Sequence, residues 1–414
     1  MQDKDTTKST LFQVFKLLHG EEIAKCICEL GVDKYTKKLE ALILYKLIAI
    51  AQVEQLSSLR DICNILSNDE LGALLGIDSI SAAQLSRRLR DVPPQAIRVA
   101  FQSAMRHVLA VKGADRVRQE LGRVHLIDAS TISLCLSRYR WAEFRSTKSG
   151  VKLHLRLLLW DSNVLPDHVV ITTAKTSDKS QMDELVVTED GALNVFDRGY
   201  VDYARFDQYC GKNVRFVTRL KESAIVEAIS ELSLEEDSPI LKDMIVHIGD
   251  DKKRMKNPLR LIETKDSQGG RILILTNDFD LPAGQIGDIY RNRWQIELFF
   301  KWIKQHFTVK HFYGLSPEAV ENQLYIALTM YCLLMLVKVE TGTQQSLLAI
   351  KRLLVTCFCD PFQGFIAKLL KAPQRTSRGR RRVDHEGIFN ETLRQVVAGE
   401  AEYLNDLTYD PVML

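Results

Sequence analysis

The sequence predicts an α/β protein, with a sheet-forming core flanked by helical regions on both sides. Three observations carry that prediction. From about Leu11 to His107 apolar residues recur at three- and four-residue spacing, as in LEALILYKLIAIAQVEQL, which is the period of helices. From Arg123 the period becomes two, through VHLIDASTISL, VKLHLRLLLW and VLPDHVVITTA. Beyond Ile286 the helical spacing returns.

At 414 residues the chain can bury a large core and divide into two or three domains. Hydrophobic residues make up 46% and charged residues 26%, a globular composition that excludes fibrous and disordered classes. A net charge of +3 does not by itself demand a polyanionic partner, so the placement of charge must decide. The eight cysteines are scattered through apolar stretches, which suits reduced thiols in a cytoplasm better than a secreted disulfide scaffold. Cys26/Cys28 and Cys357/Cys359 lack the CxxC spacing and clustered histidines of a zinc site. The polar start MQDKDTTKST has no apolar signal core, so the expected location is the cytoplasm, beside the nucleoid. Leu324 to Val337 is the most lipid-like run. It is shorter than the ~20 residues of a membrane span and reads as a buried helix, so no membrane partner is expected.

The N-terminal helices contain DELGALLGIDSISAAQLSRRLRDVPP. This is a short helix, a turn at Gly76 to Ile80, and a second helix capped by Ser79 or Ser81 and stopped by Pro93 and Pro94. Gln84, Ser86, Arg87, Arg88 and Arg90 lie on that second helix. They would reach bases and phosphates if the pair is a helix-turn-helix, or form a solvated basic face if it is not.

After the three opening strands, KSQMDELVV reads as a helix and ALNVFDRGY as a buried strand ending at Asp197. VDYARFDQYC reads as a second helix and NVRFVTRL as a fifth strand. The order βββαβαβ, with Asp128 on the first strand and Asp197 just past the fourth, is the layout of a ribonuclease H-like core. MIVHIG, LRLIET and RILILTN then suggest a β-rich insertion. The expected division is 1–118 helical and DNA-binding, 119–220 first part of the core, and 221–285 insertion. Residues 286–345 form the second part of the core, and 346–414 a helical C-terminal region. Within the last, PQRTSRGRRR forms a basic loop whose Arg378, Arg380 and Arg381 are candidates for phosphate contact.

The segment DIYRNRWQIELFFKWIKQHF, Asp288 to Phe307, is the most informative. At about 100° per residue, Tyr290, Arg293, Glu297, Lys301 and Lys304 share a third of a helix circumference, and Ile296, Phe299, Phe300, Ile303 and Phe307 fill the other side. Alone, this is an amphipathic helix with an Arg293/Glu297 pair. Beside two strand-end aspartates it is more. Magnesium takes oxygen ligands, commonly a few carboxylates, and Asp128, Asp197 and Glu297 supply them. Two such ions about 4 Å apart can activate an attacking hydroxyl and stabilise the leaving oxygen of a displacement at phosphorus. Arg293 and Lys304 would then hold flanking phosphates, and Tyr290 would donate a hydrogen bond to another.

The spacing Tyr290, Arg293, Glu297, Lys304, with Asp128 in LIDAST and Asp197 in DRGY, resembles the DDE transposases of the insertion-sequence-4 family. The segment from LFQVFKLL to SSLRDI is similar to the small N-terminal domain of many bacterial members. The resemblance implies Mg²⁺-dependent cut-and-paste transposition, with Mn²⁺ able to substitute. Its implied partners are double-stranded DNA, as terminal inverted repeats and target, and a second copy of the chain in a synaptic dimer. It also implies nicking by activated water, then attack of the freed 3′ hydroxyl on the opposite strand to form a hairpin that is reopened before joining. Tryptophans in such relatives stack on a flipped base. Trp294 is a candidate for that role or for ordinary packing, and Trp141, Trp160 and Trp302 read as core or partly buried.

Lys148, Lys152 and His154 suit a polar sheet face as well as a DNA contact. Asp161 and Asp178 also follow strand ends but are not assigned to the catalytic set, and Asp202 reads as a first-turn helix acid. No GxxxxGK[ST] loop is present, which excludes P-loop nucleotide hydrolysis. A nuclease that cuts without rejoining shares the three acids. A DNA-binding derivative that has lost catalysis would not need all of them, and a helical scaffold would not explain the strand-end acids.

Overall fold

The computed structural model describes residues 9–112, 123–160, 163–234, 238–250, 254–265, 270–371 and 394. The chain separates into two compact units. One comprises 1–113, 137–141 and 298–414, and the other 114–136 and 142–297. The basic segment with Arg378, Arg380 and Arg381, and also Asp161, lie outside the described residues.

The first unit is helical. Its N-terminal part runs through α1 (Thr10–Val14), α2 (Glu21–Glu29), α3 (Ala41–Val53), α4 (Leu59–Asn64), α5 (Asp69–Leu75), α6 (Ala82–Asp91) and α7 (Pro94–Lys112). Gly76 ends α5 at φ 71°, the left-handed conformation that glycine adopts without a Cβ penalty. Ser81 starts α6 with a reciprocal capping box to Gln84.

The C-terminal part of this unit is organised by α12 (Pro317–Thr341), 25 residues long and started by Ser316 as N-cap with Pro317 in the first turn. It is long and apolar enough to cross a membrane, yet 78% of its most apolar stretch is buried inside the protein. It packs on α3, α6, α7 and α13 (Leu347–Thr356), which accounts for apolar residues all round the helix. Its buried polar side chains bond to backbone groups, although the Asn322 side-chain oxygen is left without a partner among the described residues. Asn322 donates to the Leu89 and Val92 carbonyls at 3.2 and 2.8 Å, and Gln323 accepts from the Tyr313 amide at 2.9 Å.

The second unit is built on one ten-stranded sheet. The strands are β1 (Arg123–Leu134), β2 (Glu143–Arg145), β3 (Lys148–Trp160), β4 (Asn163–Thr173), β5 (Ala192–Phe196), β6 (Arg215–Arg219), β7 (Val226–Glu231), β8 (Ile240–Ile248), β9 (Leu259–Lys265) and β10 (Arg271–Thr276). They lie in the order β2-β3-β1-β5-β6-β10-β9-β8-β7, with β4 also paired to β3. Strands β1, β5 and β6 run parallel, and the other pairings are antiparallel. Parallel strands are covered on both faces, and all five residues of β5 are buried. The predicted strands all form, while β2 and β7 carry too little apolar alternation to be anticipated. The predicted helix at KSQMDELVV shrinks to a 3₁₀ turn and the four residues of α8 (Met182–Leu185). The strands after β6 continue the same sheet, because β10 pairs with β6 from Val217 to Arg219. Phe196, Phe206 and Phe216 stack at the centre of the unit's core, with Phe206 and Phe216 centroids 4.5 Å apart.

Gly314 precedes the Ser316 cap, and a Cβ there would stand 2.4 Å from the Ala319 Cβ. Gly314→Ala is therefore expected to lower stability by roughly 1–3 kcal/mol through forced displacement of the first turn of α12. Thermal denaturation measures it, and an unchanged melting temperature would contradict this account of the turn.

Candidate active site

Asp128 and Asp197 become neighbours through strand register. In the parallel pairing of β1 with β5, Ile127 lies opposite Phe196, and the residue that follows each of them in the chain is an aspartate. Adjacent strands lie roughly 4.8 Å apart, which brings two positions far apart in sequence to the same level. Beyond Asp197 the chain turns through a 3₁₀ segment, Arg198–Tyr200, closed by the Tyr200 amide donating to the Asp197 carbonyl at 3.0 Å.

The third acid comes from a helix, although not the continuous one that periodicity suggests. The segment from Asp288 to Phe307 breaks into α10 (Ala283–Arg291) and α11 (Trp294–His306). The break centres on Asn292, whose side chain donates to the Asp288 carbonyl at 3.1 Å and accepts from Gln295 Nε2 at 3.2 Å. Such competition with the backbone is why asparagine disfavours helix interiors. The amides of Arg293, Gln295 and Ile296 bond back three residues instead of four, which tightens the turn. Glu297 thus sits in the first turn of α11, where a carboxylate is favoured by the helix dipole.

Arg293 ties the acids together. Its Nη1 lies 2.7 Å from Glu297 Oε1 and 3.9 Å from Asp128 Oδ2, and its side chain is 9% exposed. The guanidinium also stands 5.3 Å from the Trp294 ring centroid and 5.9 Å from that of Tyr290. Burial works against its charge, but Glu297, Tyr290, Asp128 and Asp197 together raise its pKa above the ordinary value. Burial pushes the Asp128 carboxyl up to about 7, with Glu297 and Asp197 adding to the rise while Arg293 and the Ala129 amide oppose it. Burial likewise raises Glu297, against the pull of Arg293. One cation therefore serves three carboxylates that repel one another, an arrangement short of positive charge.

An all-carboxylate donor set matches hard cations such as Mg²⁺ or Mn²⁺, and the raised pKa values show that added positive charge would relieve the site. Among the described residues no group of three metal-ligating side chains is already gathered at coordinating distance. The Arg293 guanidinium stands between Asp128 and Glu297 and acts as their counter-charge, so its rotation away would free both for a metal.

Tyr290 is buried at 8% exposure, and burial lifts its hydroxyl to about 12, so it stays protonated and able to donate at neutral pH. Tyr200, the last residue of DRGY, is a site residue that the sequence reading missed. Its buried hydroxyl has no hydrogen-bond partner among the described residues, and its pKa is raised by burial and then by Asp128, Asp178 and Asp197. Only its place in the motif could have flagged it.

Several expected contacts are redirected. Lys301 is buried at 1% exposure and does not belong to an open cationic face, because the apolar surroundings of α11 extend further round the helix than its aromatic stripe. Lys304 is half-buried, and burial with Lys310 nearby lowers its pKa to about 8. Arg88 faces inward, pairing with Asp33 and donating to the Leu39 and Val32 carbonyls at 2.9 and 3.0 Å. Gln84 is held in the cap of α6, whereas Arg87 remains exposed. His154 is fully buried and donates to or accepts from Thr172 at 2.9 Å, and Lys152 pairs with Asp178 at 3.0 Å. Asp202 caps α9 (Tyr203–Gly211) by accepting from the Arg205 amide. Trp294 is half-buried, Trp160 and Trp302 are buried, and Trp141 donates to the Leu315 carbonyl at 2.7 Å.

A second buried network sets the start of α10. Arg260 makes a bidentate pair with Asp243, at 2.9 and 2.7 Å, and donates to the Leu281 carbonyl at 2.6 Å. Asp278 pairs with Arg215 and accepts from the Asp280 and Leu281 amides. These bonds fix the turn that enters the helix carrying Tyr290.

Two measurements check these assignments. Asp243→Ala leaves Arg260 buried without its carboxylate and should cost about 3–5 kcal/mol in denaturant unfolding. For Asp128, a folded pKa of about 7 against an ordinary 3.8 means that its protonation stabilises the fold fully below 3.8, and that this contribution is lost as pH rises through 7. In metal-free buffer Asp128→Asn should therefore be more stable than wild type at pH 8, by roughly 1–3 kcal/mol, with the gap closing toward pH 4. A pH-independent difference would refute the raised pKa of the buried Asp128 carboxyl.

Comparison with known proteins gives the family. A model described as the transposase DDE domain matches residues 120–333, just over half of the chain, and one described as a domain of unknown function (DUF4372) matches residues 6–78. The chain is 28% identical over 342 residues to a probable transposase for insertion sequence element IS5377 of Geobacillus stearothermophilus, covering 80% of this chain and 85% of that protein. It is 31% identical over 259 residues to the putative transposase y4zB of Sinorhizobium fredii, covering 59% of this chain and 70% of that one. Among solved structures, the piggyBac transposase synaptic complex with hairpin DNA aligns over 90% of this chain and 84% of that one, at 12% identity and a TM-score of 0.40. Because that DDE-domain match spans just over half of the chain, the chain belongs to the DDE-domain transposases.

Proposed function

We propose that this transposase excises and reinserts a bacterial insertion sequence by cutting and joining DNA at a site held by Asp128, Asp197 and Glu297. The observation that carries the reading is the register of β1 and β5, which sets two aspartates side by side, with Glu297 sharing Arg293 with Asp128. The spacing of Tyr290, Arg293, Glu297 and Lys304 supports membership of the insertion-sequence-4 group. The strand order supports a ribonuclease H-like core in which β7–β10 are a β-rich insertion. The helices before it serve as a DNA-binding domain, with the exposed Arg87 toward DNA.

Asp128, Asp197 and Glu297 would hold Mg²⁺, with Mn²⁺ as a substitute. Such ions lower the pKa of an attacking hydroxyl and neutralise charge building up on the phosphorus oxygens. The chain's own groups supply the rest. Arg293 moves from the carboxylates to a phosphate beside the scissile bond, exchanging one anionic partner for another without leaving its charge unpaired. Tyr290 donates a hydrogen bond from its hydroxyl, which keeps its proton, to a second phosphate oxygen. Lys304, easily neutralised where it lies, is stabilised as a cation when a phosphate approaches. Trp294 offers a half-exposed ring for an unstacked base. Two copies pair the two element ends, so that both are cut and joined together at one target.

Purified protein incubated with Mg²⁺ and a labelled element end should nick, release and join that end, and Glu297→Gln should lower the rate by at least about a thousandfold. Cleavage without joining would instead make the protein a nuclease. Binding without cleavage by wild type would make it a regulator.

A further inference from the structure

We infer that the cavity beside the Asp197 turn binds an unpaired nucleotide of a DNA strand, an inference that rests on the proposed DNA-cutting function. The cavity has a volume of about 780 Å³, within the range of pockets that enclose a small ligand. Its floor is apolar. Val201, Tyr203, Leu220 and Ala224 line it, and all four pack against the hydrophobic core of the sheet unit. Tyr203 is therefore held on one side by the core and offers the other to the cavity.

The rim is cationic, formed by Lys179, Arg198, Lys221 and Arg254. Two carboxylates also line the cavity, and both are engaged. Asp202 caps α9, and Asp207 accepts from the Lys256 and Asn257 amides and from Asn257 Nδ2. Lys179 donates to the Val201 carbonyl and Arg254 pairs with Glu227. Arg198 and Lys221 are exposed, and among the described residues neither has an ion-pair partner. They are the charges available to a ligand.

An apolar aromatic floor with a cationic rim matches a nucleotide, whose base has a flat face and whose phosphate is anionic. An acidic peptide would satisfy the rim and leave the floor uncovered. A straight duplex keeps its bases stacked inside a convex backbone, so its bases cannot descend to Tyr203, whereas an unpaired nucleotide can turn its base onto that ring. Arg198 directly follows Asp197, so the strand in question is the one passing the proposed catalytic acids.

Fluorescence anisotropy in EDTA, with a labelled oligothymidylate and with a blunt duplex of equal length, tests the inference. Tyr203→Ala and Lys221→Glu are each expected to weaken oligothymidylate binding by about tenfold, while Tyr203→Phe stays within about twofold and all three bind the duplex as wild type does. Lys221 is exposed, so its charge reversal reads binding even if Tyr203→Ala proves unstable. Unchanged single-strand affinity in Lys221→Glu and Tyr203→Ala would overturn the inference, as would equal losses on both probes, which mark a general cationic surface. Failure of the wild type to bind either DNA would instead overturn the reading of the chain as a DNA-cutting enzyme.

Discussion

The sheet unit depends on a single constraint: acidic side chains are brought together in a partly buried place and must be kept from driving it apart. The parallel register of β1 and β5 sets Asp128 beside Asp197, and Glu297 faces the same guanidinium as Asp128. Burial, with the neighbouring carboxylates of Glu297 and Asp197 adding to it, pushes the Asp128 carboxyl well above the ordinary carboxylate range. Arg293 is the compensating charge. Its own burial is tolerable because three acids and two aromatic faces surround it. The site is thus electrostatically tense as it stands, a property that stability alone would not select and that binding of a cation would relieve.

The surrounding structure serves to hold that tension in place. The break at Asn292 matters because a straight helix through Tyr290 and Glu297 would impose one fixed angle between them. Two helices joined by a tight turn can be set separately, α10 by the Arg260–Asp243 and Arg215–Asp278 pairs at its entrance and α11 by its own packing. Buried ion pairs are weak as sources of stability and effective as selectors of one geometry. Here they lie where geometry is needed, between the last strands and the helix that delivers the tyrosine and the arginine.

The helical unit shows the same division between charge used inside and charge left outside. Arg88 and Arg87 are adjacent in sequence, yet one is absorbed by Asp33 and two carbonyls while the other points to solvent. The apolar α12 is the opposite case. Its composition would suit a lipid environment, and its neighbours in the bundle supply an equivalent one, with Asn322 and Gln323 bonded to backbone groups at helix ends and turns. In both cases the surroundings decide what a residue does.

By itself, the sequence determined most of the elements and singled out three candidate acids. Period two through β1, β3 and β4 and the buried run ALNVF reflect local burial patterns, which are written residue by residue. The spacing around Glu297 likewise survives in any fold that keeps that segment together. Only the tertiary structure decided what depends on distant partners. These are the pairing that puts Asp197 level with Asp128, the inward turn of Arg88, the burial of Lys301, the hydroxyl of Tyr200 among the acids, and the cavity over Tyr203. Each is a contact between segments remote along the chain, and its energy depends on burial and on a neighbour's charge. Neither quantity is a property of a residue and its sequence neighbours alone, so neither could be read before the sheet was assembled.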